Sequence, residues 1–199
     1  LGDLSDASEK LIYYPEDLAS AMESLPVEQQ GLLKETAKRI LDFAKAQRNS
    51  IADFEIDMGG CRAGQQVSPV DCAGCYAPGG RFPLPSSVLM TAVTARAAGV
   101  ERVWVASPKP SQVTLAAAAA AKADGLLAAG GAQAIAALAY GAGEVPPCDV
   151  VVGPGNKFVT AAKQLVFGPV NIDMLAGPSE LTVLADESAD PETVAADLL

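Results

Sequence analysis

Three glycine-rich turns hold the residues of this chain whose types and spacing could do chemistry. They are Tyr76-Ala77-Pro78-Gly79-Gly80, Gly130-Gly131-Ala132-Gln133 and Gly153-Pro154-Gly155-Asn156. Each stands between an extended apolar stretch and a helical one. Glycine accepts positive φ and lets a ligand approach the main chain closely. A helix that starts from such a turn aims its unpaired N–H groups outward. Together these features suit a phosphate or a nucleotide. Tyr76 could pack against a base or ribose and donate a hydrogen bond, and Gln133 has an acceptor and two donors for an amide or ribose edge. Each turn also has a plain structural reading: a tight turn over a buried tyrosine, an ordinary polar residue in a first helical turn, a strand-to-helix corner. The third turn is not the dinucleotide fingerprint G-x-G-x-x-G, because the third glycine is missing, and it is not a Walker loop, because Lys157 comes too early.

Other chemistry is less well supported. The chain of 199 residues has no histidine, the usual neutral-pH proton shuttle and the commonest metal ligand. A hydrolase triad or a typical zinc centre is therefore not expected within these residues. Ser179 has no histidine base, so polar recognition of a substrate suits it better than nucleophilic attack. Asp173 and Glu180, either side of Gly177-Pro178, could bind a cation or an amine, with surface solvation as the alternative. Cys72-Ala73-Gly74-Cys75 has redox spacing, yet the pair runs into an extended stretch rather than opening a helix, so packing as small apolar groups is the better reading. Four cysteines are few for a disulfide scaffold of this length, and a reduced, cytoplasmic state is expected. The net charge of -10 argues against a nucleic-acid partner. No stretch reads as membrane-spanning and no cationic leader precedes an apolar run.

The elements that must position these turns follow from the apolar pattern. Residues 1–60 read as helical. Pro15-Glu16-Asp17 suits a first helical turn. Pro26 opens a longer helix with Leu32, Leu33, Thr36, Ala37, Ile40, Leu41 and Ala44 as its apolar stripe, a Glu35–Arg39 pair on its flank and an end at Asn49-Ser50. Val67, Val70 and Tyr76 are assigned to strands bounded by Pro69 and Gly74. From Tyr76 the order becomes strand, turn, helix. A helix capped by Ser86 or Ser87 runs to Ala98. Strands follow at 102–106, 126–127 and 149–152, with helices from Pro110-Ser111 to Ala123, over 132–140, and from Asn156. The last strands are placed at 171–174 and 181–184, before a helix begun by Asp190-Pro191. Short apolar strands alternating with helices imply an α/β fold with a parallel sheet covered on both faces. Ligands of such sheets sit beyond the strand C-termini, where the strand order reverses. The domain reading is a helical N-terminal segment leading into short strands over 1–71, a nucleotide-binding unit over 72–175, and the start of a second α/β unit over 176–199.

In their order along the chain, these segments resemble the histidinol dehydrogenase family. The matching stretches are Tyr76–Gly80 with Leu84–Met90, Gly130–Gly141, Gly153–Lys163, Ile172–Glu180 and Val194–Leu199. The resemblance implies a Rossmann-like parallel sheet with flanking helices in a homodimeric, zinc-dependent enzyme. Such an enzyme uses NAD to oxidise L-histidinol, a small amino alcohol, to L-histidine through the aldehyde. It also implies that Tyr76, Gln133 and Asn156 contact NAD and that Ser179 contacts substrate. The family's zinc ligands, and the Glu-His pair that moves protons, belong to motifs expected after Leu199. The chain is thus expected to be an incomplete, inactive portion. Two alternatives stay open: a related dehydrogenase of another small polar alcohol, such as a sulfonated diol, and an inert nucleotide-shaped scaffold kept for packing or dimerisation.

Overall fold

The structure, a computed structural model, describes residues 10–79, 82–175 and 181–198. It begins with a short strand, β1 (Ile12–Tyr13), followed by helices α1 (Pro15–Glu23) and α2 (Val27–Asn49). Pro15 takes the first position of α1, where its missing N–H costs nothing. Asp17 Oδ2 accepts from the Tyr14 amide at 2.8 Å, which fixes the entry to that helix. α2 buries Leu33, Ala37 and Ala44 of the expected stripe, but leaves Leu32 65% exposed. The Glu35–Arg39 pair forms on its outer flank. The all-helical reading of residues 1–60 needs correction at both ends. β1 is a strand, and β2 (Phe54–Asp57) pairs antiparallel with β3 (Arg62–Gln65). Val67 and Val70 lie in neither, because the chain leaves the hairpin before reaching them.

The remaining elements alternate as expected. β4 (Cys72–Tyr76) leads to a helical path made of α3 (Pro85–Val88), a π-helical segment (Leu89–Val93) and α4 (Thr94–Ala97). β5 (Arg102–Ala106), α5 (Gln112–Ala120), β6 (Gly125–Leu127), α6 (Gly131–Tyr140), β7 (Val150–Val152), α7 (Lys157–Val166), β8 (Asn171–Ile172) and α8 (Pro191–Asp197) complete the order. Gly74 is inside β4 and not at its boundary. The residue at the cap of α3 is Leu84, not Ser86 or Ser87, because Pro85 fills the first helical position. The stretch 181–186 is not a strand. Leu181 is 59% and Leu184 97% exposed, so no neighbouring layer supplies the packing on which β-structure depends.

One sheet of six strands holds the order β1-β6-β5-β4-β7-β8. β6, β5, β4, β7 and β8 are mutually parallel and β1 runs antiparallel along the outer edge of β6. Side chains alternate faces with a period of two. Ala73, Cys75, Val103, Val105 and Leu126 face the core built by α1, α2, α5 and the helical path after β4. Cys72, Tyr76, Trp104, Ala106, Leu127 and Val151 face the core under α6 and α7. Burial on both faces explains why these strands read as continuous apolar runs. Small residues set the layer spacing. A Cβ on Gly74 would stand 3.0 Å from Leu138 of α6, and one on Gly125 would stand 2.6 Å from the Trp104 ring. Ala116, Ala117 and Ala118 bring α5 close on the opposite side, fully buried.

Candidate nucleotide-binding rim

The strand order runs outward in two directions from β4: through β5 to β6 on one side, and through β7 to β8 on the other. The chain's direction of travel therefore reverses between β4 and β7, and in such sheets ligands sit beyond the carboxyl ends at that point. The described parts of all three glycine turns lie at that end, Gly80 being outside the described residues. Tyr76 closes β4, Gly130-Gly131 follows β6 and opens α6, and Gly153 follows β7.

Close contacts tie these turns together. The Tyr76 hydroxyl accepts from the Gly131 amide at 3.2 Å, which links the end of β4 to the start of α6. Gly131 has φ +65, open to glycine at little steric cost. Gly153, at φ +117, lies against Tyr76, and a Cβ there would overlap the Tyr76 carbonyl oxygen. Pro108, from the turn after β5, fills the remaining side. A Cβ on Gly130 would stand 2.6 Å from the Pro108 ring, and one on Gly79 would overlap the Pro108 carbonyl. The loops around Pro78, Gln133 and Pro154 thus gather around Tyr76 and Pro108 on one rim.

The side chains singled out from sequence differ in setting. Tyr76 is buried, 3% exposed, and serves as the strut beneath the rim. Gln133 is exposed in the first turn of α6, with Oε1 turned back toward Gly131. Asn156 is the N-cap of α7, and its Oδ1 accepts from Phe158 N at 3.0 Å and Val159 N at 3.2 Å. With Oδ1 engaged, its NH2 is the group positioned to meet a ligand. Ser179 and Glu180 lie outside the described residues.

Two further residues belong to the rim. Lys163 is 4% exposed on α7, among Val159, Ala162 and Val166. Its Nζ donates to the Gly153 carbonyl at 3.0 Å and forms an ion pair with Asp173 Oδ1. Asp173 Oδ2 accepts from Gly153 N at 2.8 Å, and Oδ1 also accepts from Met174 N at 2.7 Å. The amine read as a possible partner of Asp173 is thus the protein's own Lys163. This inward turn of Asp173 also shortens the expected 171–174 strand to Asn171–Ile172. The signal for Lys163 was a lone cation on the apolar stripe of α7, where an unpaired charge would be costly.

Cys72 and Cys75 both lie within β4, on opposite faces. Burial pushes the Cys75 thiol up to about 12. Cys72 Sγ lies 3.4 Å from Cys148 Sγ, and this hydrogen bond, with burial, holds Cys148 well above the ordinary thiol range. Cys75 and Cys148 therefore stay protonated and inert at neutral pH, while the hydrogen bond with Cys148 lowers the Cys72 thiol. Among the described residues no group of three or more Cys, Asp or Glu side chains is placed to hold a metal ion. The described residues form no such cluster on their own, and the glycine-lined rim at the reversal point is the candidate ligand site.

The strand order and the flanking helices define an α/β protein with a largely parallel, Rossmann-like sheet. The sequence model of histidinol dehydrogenase matches residues 3–199, and the chain belongs to that family. It is 47% identical over 188 residues to a histidinol dehydrogenase of Methanococcus maripaludis, a match covering 92% of this chain and 44% of that protein. In Ruegeria pomeroyi it is similar to two proteins. A histidinol dehydrogenase is 45% identical over 195 residues, covering 96% of this chain and 45% of that protein. A histidinol dehydrogenase homolog is 44% identical over 198 residues, covering 96% of this chain and 46% of that protein. The crystal structure of histidinol dehydrogenase from Elizabethkingia anophelis superposes with a TM-score of 0.79 at 32% identity, over 98% of this chain and 45% of that one. The chain spans less than half the length of these relatives. No helix among the described residues is long and apolar enough to cross a membrane.

Proposed function

We propose that this chain places NAD in an enzyme that oxidises L-histidinol to L-histidine through the aldehyde. Family membership supports the reaction, and the gathering of three glycine turns at the β4–β7 reversal supports the cofactor's place. That convergence is the observation on which the reading rests.

In this reading the chain's residues bind and orient. A side chain at Gly153 would strike Tyr76 and one at Gly155 would strike Val159, so the two glycines let this turn fold tightly between β4 and α7, at the helix start where a diphosphate would lie. The Asn156 NH2 and the Gln133 carboxamide contact NAD from the exposed rim, and the Tyr76 hydroxyl contacts it at the start of α6. Ser179 contacts the amino alcohol. When bound, NAD supplies the hydride acceptor, so the protein's part is distance and direction. Zinc, its ligands and the base that takes the alcohol proton are assigned to the part of the relatives that this chain does not span. Homodimerisation and a cytoplasmic location belong to the same proposal. So does the division into a nucleotide-binding unit over 72–175 and the start of a second unit over 176–199.

A second reading keeps NAD and changes the alcohol. The near-equal likeness to a histidinol dehydrogenase and to a homolog from one organism favours no single substrate on identity alone. NADH formation by the complete, zinc-loaded protein decides between them. Turnover of L-histidinol far above that of a sulfonated diol is expected, and the reverse ranking would replace the substrate while keeping the cofactor. A folded, metal-loaded protein that turns over neither alcohol and fails to bind NAD would favour the inert scaffold.

A further inference from the structure

Gly153 is held at both of its polar groups by one ion pair, between a buried lysine and a partly exposed aspartate. Asp173 Oδ2 takes its N–H and Lys163 Nζ donates to its carbonyl. The Lys163 side chain is 5% exposed and the Asp173 side chain 33%. The pair closes a ring from the start of α7's turn, through α7, to the end of β8. Asp173 Oδ1 also accepts from Met174 N, the first step of the segment that leads along the chain to Ser179.

A buried ion pair is weak evidence for stability, because desolvation offsets much of the attraction. Removing one partner is costly, whereas an apolar pair of similar volume is often neutral. What apolar residues cannot replace here is the paired grip on Gly153, which at φ +117 has the conformational freedom of glycine. We propose that Lys163 and Asp173 are positioning residues: they fix the orientation of the Gly153–Asn156 turn, and with it NAD affinity, by tying that turn to the end of β8. This rests on the NAD reading given above, because it assigns the turn to the cofactor.

The test uses the complete, zinc-loaded protein with three changes: Asp173→Asn, Lys163→Met, and the double change Lys163→Met with Asp173→Leu. The double change removes both charges together, so it should fold. Lys38→Met, which breaks the exposed Lys38–Asp42 pair on α2, is the control. For the folded variants NAD KM should rise about tenfold or more, the scale of a lost hydrogen bond to a charged group. The turnover number at saturating NAD should change less than about threefold, and the control should leave both constants unchanged. A melting temperature near wild type with unchanged NAD KM in the double variant overturns the proposal. Failure of all three variants to fold also overturns it, since the pair would then act in stability alone. If the wild-type protein itself does not bind NAD, the cofactor reading fails first, and that outcome is distinct from either of these.

Discussion

Gly153 packs against the carbonyl of Tyr76 so closely that no Cβ could stand between them. This contact joins the end of β4 to the turn after β7, the two strands at which the sheet reverses. Replacing Gly153 with alanine would force both a side chain into that carbonyl and an L residue into φ +117. A loss of about 3 kcal/mol or more is expected from the strain and overlap together. Urea unfolding of the complete protein would measure it, and a loss below about 1 kcal/mol would show that the turn relaxes freely.

Asn156 has a structural and a proposed binding role, and they separate by chemistry. Asn156→Asp keeps an oxygen for Phe158 N and Val159 N but removes the NH2 and adds a negative charge beside the proposed diphosphate. Asn156→Ala removes both functions. Stability should be nearly unchanged for the first and fall by about 1 kcal/mol for the second. NAD KM should rise in both, by about one to two powers of ten. Equal NAD KM for wild type and both variants, measured by initial rates, would remove Asn156 from the binding reading.

Tyr76→Phe keeps the buried ring and deletes the acceptor for Gly131 N. The expected cost is about 1 kcal/mol, because one partner of a partly buried hydrogen bond is orphaned. A few-fold rise in NAD KM should accompany it, through the lost hydroxyl contact and a looser first turn of α6. Thermal melting and initial rates check the two parts separately, and a variant unaltered in both would show that Tyr76 acts only as apolar filling.

The thiols give a pH-dependent expectation. The Cys75 thiol titrates at about 12 against an ordinary 9.0, because burial penalises the thiolate. Below pH 9 the folded and unfolded chains both hold this proton, and its contribution to stability is full. Above that, only the unfolded chain releases it, so the contribution is lost as pH rises through about 12. In the native protein at neutral pH, a thiol reagent should modify Cys61, which is exposed, and spare Cys72, Cys75 and Cys148, which are buried. Mass mapping of the modified peptides checks this. Rapid native labelling of Cys75 would show that β4 opens readily.

The parallel sheet was legible because its strands are buried on both faces and end in glycine turns. Val103 to Ala106 and Val150 to Val152 read as apolar runs, and the turns at Gly130 and Gly153 mark where their helices begin. Elements without such a signal were missed. β1 is two residues long and exists through its pairing with Leu126 and Leu127, a partner far along the chain. Both strands of the β2–β3 hairpin are exposed throughout, so burial leaves no mark on their sequence. The opposite error occurred at Leu181–Leu184, where an apolar composition suggested a strand that the described structure does not form. Within the rim, Tyr76, Gln133 and Asn156 stood out by their place beside glycines. The grip of Lys163 and Asp173 on Gly153 did not, because spacing shows where a charge stands on a helix and not which main-chain groups it meets.

The cofactor's place on the rim is measured most directly by a crystal structure of the complete protein with NAD. The dinucleotide should cross the carboxyl ends of β4 and β7, with its diphosphate over Gly153–Asn156 and Gln133 within hydrogen-bonding distance. NAD bound at another face, or a rim left empty at saturating NAD in a folded, zinc-loaded protein, would contradict it.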